Sequence, residues 1–217
     1  MSSDGQSITF KGPTDLVTDF FKYAVNTILF QRGVYPPDHF HMVKKYGQTV
    51  LVTQSLNLED YLEEMLKQID TLLFTVETQL IVAILSKDSG MPLEKWVFVI
   101  NPVQRPSQRT LGRAQASEPE AKIQAEIHFI LRQIVSTMTV LPIIDEPISY
   151  DVRVRTHGPA DLPDNGWVNT DPAAIEAGKS QRVILPSFST VVHRIEAMVL
   201  WYVKGNPLNE VTNRSLE

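Results

Sequence analysis

The chain has 217 residues, of which 43% are hydrophobic and 21% charged, with a formal net charge of −5 and no cysteine. That length suits one domain with short tails, and that apolar content supplies a sizeable core. The missing thiols exclude disulfide frameworks, thiolate zinc sites and cysteine nucleophiles, and the acidic balance argues against a broad nucleic-acid surface.

Residues 1–12 are polar apart from Ile8, Thr9 and Phe10, and read either as a loose arm or as a short strand with frayed ends. Asp4, Lys11, Asp15 and Asp19 leave no apolar core for a signal peptide, and no later run approaches bilayer-spanning length. The chain is expected to be soluble and intracellular. Thr14 stands where the N-cap of a first helix belongs. Val17, Phe21, Ala24, Val25 and Ile28 recur at helical spacing, widened by Leu16, Phe20 and Leu29. Gly33 stops this helix, and Pro36 and Pro37 prevent its resumption.

Residues 49–53 form a β-branched run and a predicted strand. Asn57, with Asp60 three residues on, reads as the cap of a second helix. Its apolar stripe is Leu58, Tyr61, Leu62, Met65, Ile69, Leu72 and Leu73, wide enough to pack on a sheet. Residues 80–85 and 96–100 are strands, separated by a turn at 87–90. Residues 101–117 are rich in Pro, Gln and Arg and read as an exposed loop. Ser117-Glu118-Pro119-Glu120 is a capping box for a third helix. The stripe of that helix is Ile123, Ile127, Ile130, Leu131, Ile134 and Met138, with Pro142 as its stop.

Residues 149–155 alternate. Tyr150, Val152 and Val154 share one face and Asp151, Arg153 and Arg155 the other, as in an antiparallel strand with one buried side. Residues 156–180 carry Pro, Gly, Asp and Asn throughout, and a loop of that length in a compact domain is functional or disordered. Residues 182–203 are apolar again, broken by Pro186. Val183, Leu185, Val191, Ile195, Val199 and Trp201 read as strands, and a helix over 190–202 fits the same spacing. Residues 204–217 form a polar tail. Three helices and several strands out of strict alternation predict an α+β fold, an antiparallel sheet with helices on one face.

Candidate chemistry is sparse. His39 and His41 could share a strand face toward a metal, but no third ligand accompanies them, and solvated loop residues are the simpler reading. Glu63-Glu64 reads as a solvated helix face, and Arg105, Arg109 and Arg113 as a charged linker. No phosphate loop, nucleophile elbow or Walker-type lysine is present. No catalytic residue, metal ligand or cofactor is assigned.

Five blocks carry a family resemblance: ITFKGPTDLVTDFFKYAVNTILFQRGVYPP (8–37), FHMVKKYGQTVLVT (40–53), LEKWVFVI (93–100), LRQIVSTMTVLP (131–142) and SFSTVVHRIEAMV (187–199). In this order and spacing the chain resembles HORMA-domain proteins, specifically the mitotic-arrest-deficient branch of the spindle assembly checkpoint. The resemblance implies a HORMA domain over 13–203: three helices packed on an antiparallel sheet, with a mobile C-terminal safety belt at 156–203. Residues 1–12 would be an arm and 204–217 a tail. It further implies an adaptor and not an enzyme, one that switches between open and closed conformers and entraps a peptide. The implied partners are the anaphase-promoting-complex co-activator and a coiled-coil kinetochore receptor, with no nucleic acid and no membrane. The implied location is nucleus, kinetochore and cytoplasm.

On this reading the peptide adds to the strand edge of Tyr150, Asp151, Val152, Arg153, Val154 and Arg155 by β-augmentation. The belt carries Trp167, Val183, Leu185, Phe188 and His193. Without the resemblance the same residues read as a final edge strand, then a loop leading to a C-terminal hairpin. The family self-associates through its third helix, which implies roles for Arg132, Gln133 and Val140. Val140 stands where the family has Phe, and its smaller side chain implies pairing weaker by about 1 kcal/mol. The related HORMA subunit of translesion DNA synthesis is the alternative, less well matched by QRG at 31–33, KKYG at 44–47 and the Arg132-Gln133 pair. A small-ligand enzyme of α+β fold is the alternative from another class.

Overall fold

The computed structural model describes residues 13–72, 77–102, 120–157, 180–190 and 193–203. The N-terminal arm, residues 117–119 of the expected capping box, the loop 103–119, Trp167 and the tail after 203 lie outside them. Helix α1 (Pro13–Gln31) begins at Pro13 itself. Proline lacks only an N–H that would have no partner at a first helical position. Thr14 therefore lies within the first turn and is not the N-cap. The helix closes as a Schellman motif. The Val34 amide donates to the Leu29 carbonyl and the Gly33 amide to the Phe30 carbonyl, both at 3.0 Å, with Gly33 at φ +64 in the left-handed region that glycine enters without strain.

A single 3-10 turn (Pro37–His39) leads into a hairpin of β1 (Phe40–Lys45) and β2 (Gln48–Thr53). Its two-residue turn, Tyr46-Gly47, has φ of 50 and 71, as a tight hairpin requires. β1 was not anticipated in sequence: its His41, Met42 and Lys44 side chains are exposed and give no apolar alternation. Helix α2 (Leu56–Leu72) starts just after Ser55, whose carbonyl accepts the Glu59 amide at 2.9 Å. Ser55 is thus the N-cap position, and Asn57 sits in the first turn. Leu58, Leu62, Met65 and Ile69 are buried as expected, whereas Tyr61 is 42% exposed. Glu63 is not merely solvated, because Lys22 of α1 reaches it at 2.9 Å and Glu59 at 3.2 Å.

The main sheet contains β3 (Thr78–Ser86), β4 (Pro92–Pro102), β5 (Ile148–Thr156), β6 (Ser180–Ser189) and β7 (His193–Tyr202). Their order is β5-β3-β4-β7-β6, with every neighbouring pair antiparallel. β7 excludes a helix over 190–202. Pro186 falls where the β6 register slips between Leu185 and Phe188, on an edge strand, where a missing N–H and a bulge are tolerated. Helices α1, α2 and α3 (Glu120–Thr137) share the core with one face of this sheet, including Leu80, Val82, Trp96, Phe98, Ile195 and Val199. α3 ends at Thr137 in i to i−3 bonds from Met138, Thr139 and Val140, so its stop precedes Pro142.

Where α1 ends, its last turn is tied to the sheet by charge. Arg32 forms a bidentate pair with Glu94 of β4, and both side chains are largely buried. Trp96 Nε1 donates to the same carboxylate, and Arg32 also donates to the Pro142 carbonyl at 3.3 Å. Removing one charge leaves the other buried and uncompensated. Arg32→Met is expected to lower unfolding free energy by about 3–5 kcal/mol. Arg32→Met with Glu94→Gln, which keeps an acceptor for Trp96, recovers most of that loss. Urea denaturation of both variants checks this.

Candidate functional site: the free edge of the sheet

β5 hydrogen-bonds to β3 along its whole length, from Thr78 opposite Thr156 to Ser86 opposite Ile148. Among the described residues no strand pairs with its other side. At this edge a nine-residue strand, about 30 Å long by the usual rise, offers a row of backbone donors and acceptors. The opposite flank of the sheet is occupied by the β6–β7 hairpin, which docks on β4 in continuous register from Glu94 opposite Trp201 to Pro102 opposite His193.

The two faces of β5 differ in chemistry, as the alternation implies. Val152 is buried toward the helices, and Tyr150 and Val154 pack against the same core. The chain leaving α1 brings Tyr35 there, its hydroxyl 3.2 Å from that of Tyr150 and the rings 5.9 Å apart. Burial pushes the Tyr150 hydroxyl well above its ordinary value, and the hydrogen bond to Tyr35 raises it further. Tyr61 of α2 joins this corner, its hydroxyl raised by burial and by the Asp151 carboxylate. On the other face Arg153 pairs with Asp151 at 2.7 Å, and Arg155 is exposed. Lys95 of β4 is held below the usual lysine range by burial, then by the like charges of Arg153 and Arg155.

The structure gathers Tyr150 through Arg155 on this edge but takes the remaining assigned residues elsewhere. Val183, Leu185, Phe188 and His193 belong to the hairpin at the far flank, where Phe188 packs edge-on against Phe20 at 5.0 Å and His193 is fully buried. Arg132 is exposed and Gln133 half-buried on α3. Val140, 62% exposed, follows in the turn beyond the helix. It rims a cavity of about 540 Å³ shared with Leu93, Glu94, Pro142, Ile143 and Trp201. Sequence reasoning gave no role to Tyr35, which lies between Gly33 and the prolines that follow the first helix, and assigned Tyr61 to the apolar stripe. No local pattern links either residue to a strand so far along the chain. His39 and His41 are exposed, and no group of three metal-ligating side chains forms among the described residues.

A helix-backed antiparallel sheet with β5 as one edge strand and a C-terminal hairpin forming the other flank is an architecture on which an adaptor can take up an extended peptide as an added strand. The HORMA domain family matches residues 13–193. The mitotic spindle assembly checkpoint protein MAD2A of Dictyostelium discoideum is 38% identical over 92% of this chain and 96% of its own. A chain from the crystal structure of a mitotic checkpoint complex is 35% identical, with a TM-score of 0.77 over 89% of this chain and all of that one. HTP-2 of C. elegans bound to the HTP-3 closure motif 1 shares the fold at 10% identity, with a TM-score of 0.71 over 88% of this chain and 87% of that one. The chain belongs to the HORMA-domain family, in its MAD2 spindle-checkpoint branch.

The Tyr150 hydroxyl sets a pH dependence. Its native pKa lies above the unfolded value of about 10, so the folded chain holds this proton more tightly. The contribution to stability is complete below that value and is lost as pH rises beyond it. Between about pH 10 and 11, the parent chain should lose stability more steeply than Tyr150→Phe. Urea midpoints at pH 8, 10 and 11 measure the difference, with a residual slope of the same sign left by Tyr61.

Proposed function

We propose that this protein is a spindle assembly checkpoint adaptor that captures an extended peptide on the free edge of β5. The peptide comes from the anaphase-promoting-complex co-activator or from the coiled-coil kinetochore receptor, and the protein works at kinetochores and in the nucleus and cytoplasm. The observation that carries this reading is that, among the described residues, β5 has no strand on its outer side while the C-terminal hairpin occupies β4. Main-chain bonding to such an edge supplies affinity for any extended segment. Residues 156–203 act as the safety belt. A second conformer places the hairpin on β5 instead, where it competes with the peptide for one set of hydrogen bonds. The HTP-2 structure, with a closure motif bound to the same fold, supports the peptide reading by analogy.

Deleting the hairpin is a poor test, because it would take Phe188, Ile195 and Val199 out of the core. Hydrogen exchange on the full chain is direct. Peptides from the co-activator and the receptor are expected to slow exchange of backbone amides within 148–156, and a translesion polymerase peptide is not. Unchanged exchange with every peptide would sink the reading.

Self-association is assigned to the outer face of α3 through Arg132 and Gln133, and to Val140 in the turn that follows it, none of which belongs to the buried stripe. Arg132→Glu should weaken dimer formation by about tenfold or more, the scale of a charge reversed within an interface, and leave peptide capture intact. Light scattering at matched concentrations checks this, and a dimer of undiminished stability would remove Arg132 from the interface.

A further inference from the structure

We propose that the cavity beyond the end of α3 is the seat of this chain's own segment 204–217, with Leu208 as its plug, and that the seated segment shields Val140 and Ile143 from a second copy. The cavity measures about 540 Å³, room for a few side chains. Its floor is buried: Leu141 and Trp201 are covered, and the Glu94 carboxylate beside them is neutralised by Arg32. Its rim is open. Val140 is 62% and Ile143 90% exposed, and Pro142 and Asp145 are exposed with them. Apolar side chains gathered around a concavity of this size mark a surface that something covers.

Position, sequence and charge name the occupant. Val203, the last described residue, itself lines the cavity, so the chain leaves β7 at the rim. The sequence continues Lys204-Gly205-Asn206-Pro207-Leu208. Glycine and an Asn-Pro pair favour a turn, and Leu208 is the first large apolar side chain after it. Five residues reach at most about 17 Å, enough to turn back over the opening. Glu94, Asp145 and Glu146 line the cavity, and none of the described residues that line it is basic. A cation carried in with an apolar plug is therefore favoured, and Lys204 is one. Tethering adds to this, because a linked segment acts at roughly millimolar effective concentration and needs only modest contacts to stay. The shielding half of the inference rests on the assignment of Val140 to self-association. A plug over Val140 and a second copy against it exclude each other, so weakening one strengthens the other.

The chain has no cysteine, so a disulfide between two introduced thiols reports a single contact. Under mild oxidation, full-length chain carrying Ile143→Cys and Asn209→Cys is expected to close an intramolecular disulfide faster than chain carrying Ile184→Cys and Asn209→Cys. Ile184 is 69% exposed and pairs with Met198, within reach of an unseated segment. Adding Leu208→Ser should slow the first reaction about tenfold, the effect of losing one buried leucine, and leave the second unchanged. Equal rates for the two pairs, or a first rate indifferent to Leu208→Ser, would overturn the seat. A disulfide that forms between chains instead would give the cavity to a second copy and overturn it equally. By light scattering, Leu208→Ser alone should strengthen self-association several-fold. No change, with Arg132→Glu still weakening the dimer, would overturn the shielding and leave the seat standing. No change with Arg132→Glu also without effect would place the failure in the assignment of the self-association face.

Discussion

An open antiparallel sheet has two edges, and the place where a C-terminal hairpin docks decides which strands form them. Here β7 lies on β4, and its side chains explain the choice. Ile195, Val199 and Trp201 from β7 and Phe188 from β6 are buried with Phe20, Phe98 and Trp96. Each large apolar side chain contributes about 1.5–3 kcal/mol when buried, whereas a ladder hydrogen bond contributes about 1 kcal/mol net. Core burial therefore outweighs pairing in setting the position of the hairpin. Among the described residues β5 is left without a strand on its outer side, and a hairpin leaving β4 would first have to give up those aromatic contacts. Such exchange would require local unfolding and would be slow for that reason.

The buried Arg32–Glu94 pair connects the same decision to the helices. Glu94 is the β4 residue opposite Trp201, so β7 helps to exclude water from a charge that α1 neutralises. Arg32 lies at the end of α1, where the helix dipole favours a cation, and its second donor reaches the Pro142 carbonyl beyond α3. A buried pair adds little net stability over an apolar substitute. Its physical effect is a demand that three separate segments keep one arrangement: the α1 terminus, the Trp201 end of the hairpin, and the turn leaving α3.

Much of this was legible in the sequence. The stripes of α1 and α3, the alternation of β5 and the apolar runs of β3 and β4 each reflect a single face meeting a single core, which is the condition under which periodicity is readable. The family blocks extended that to the fold. Boundaries fared worse, because caps depend on one or two residues: Pro13 displaced Thr14, and Ser55 displaced Asn57. β1 escaped because a hairpin lying outside the main sheet exposes most of its side chains. At the site, the strand itself was anticipated and its surroundings were not. The approach of Tyr35 to Tyr150, and the burial of Glu94 between a tryptophan and an arginine, are products of tertiary packing that no local pattern encodes.

Peptide recognition at a sheet edge divides into two physical parts. Backbone pairing is indifferent to sequence, because hydrogen bonding of main chain to main chain needs only an extended partner. Selection must come from side chains, and on β5 the two faces ask for opposite things. Toward the helices the Tyr35–Tyr150 hydroxyl pair sits in a desolvated corner where an added charge would lack solvation. Away from them, Arg153 is paired with Asp151 and Arg155 is exposed. Because successive side chains of a strand point to opposite faces, a slip of a single residue in any strand added here would exchange its two sets of side chains between those faces.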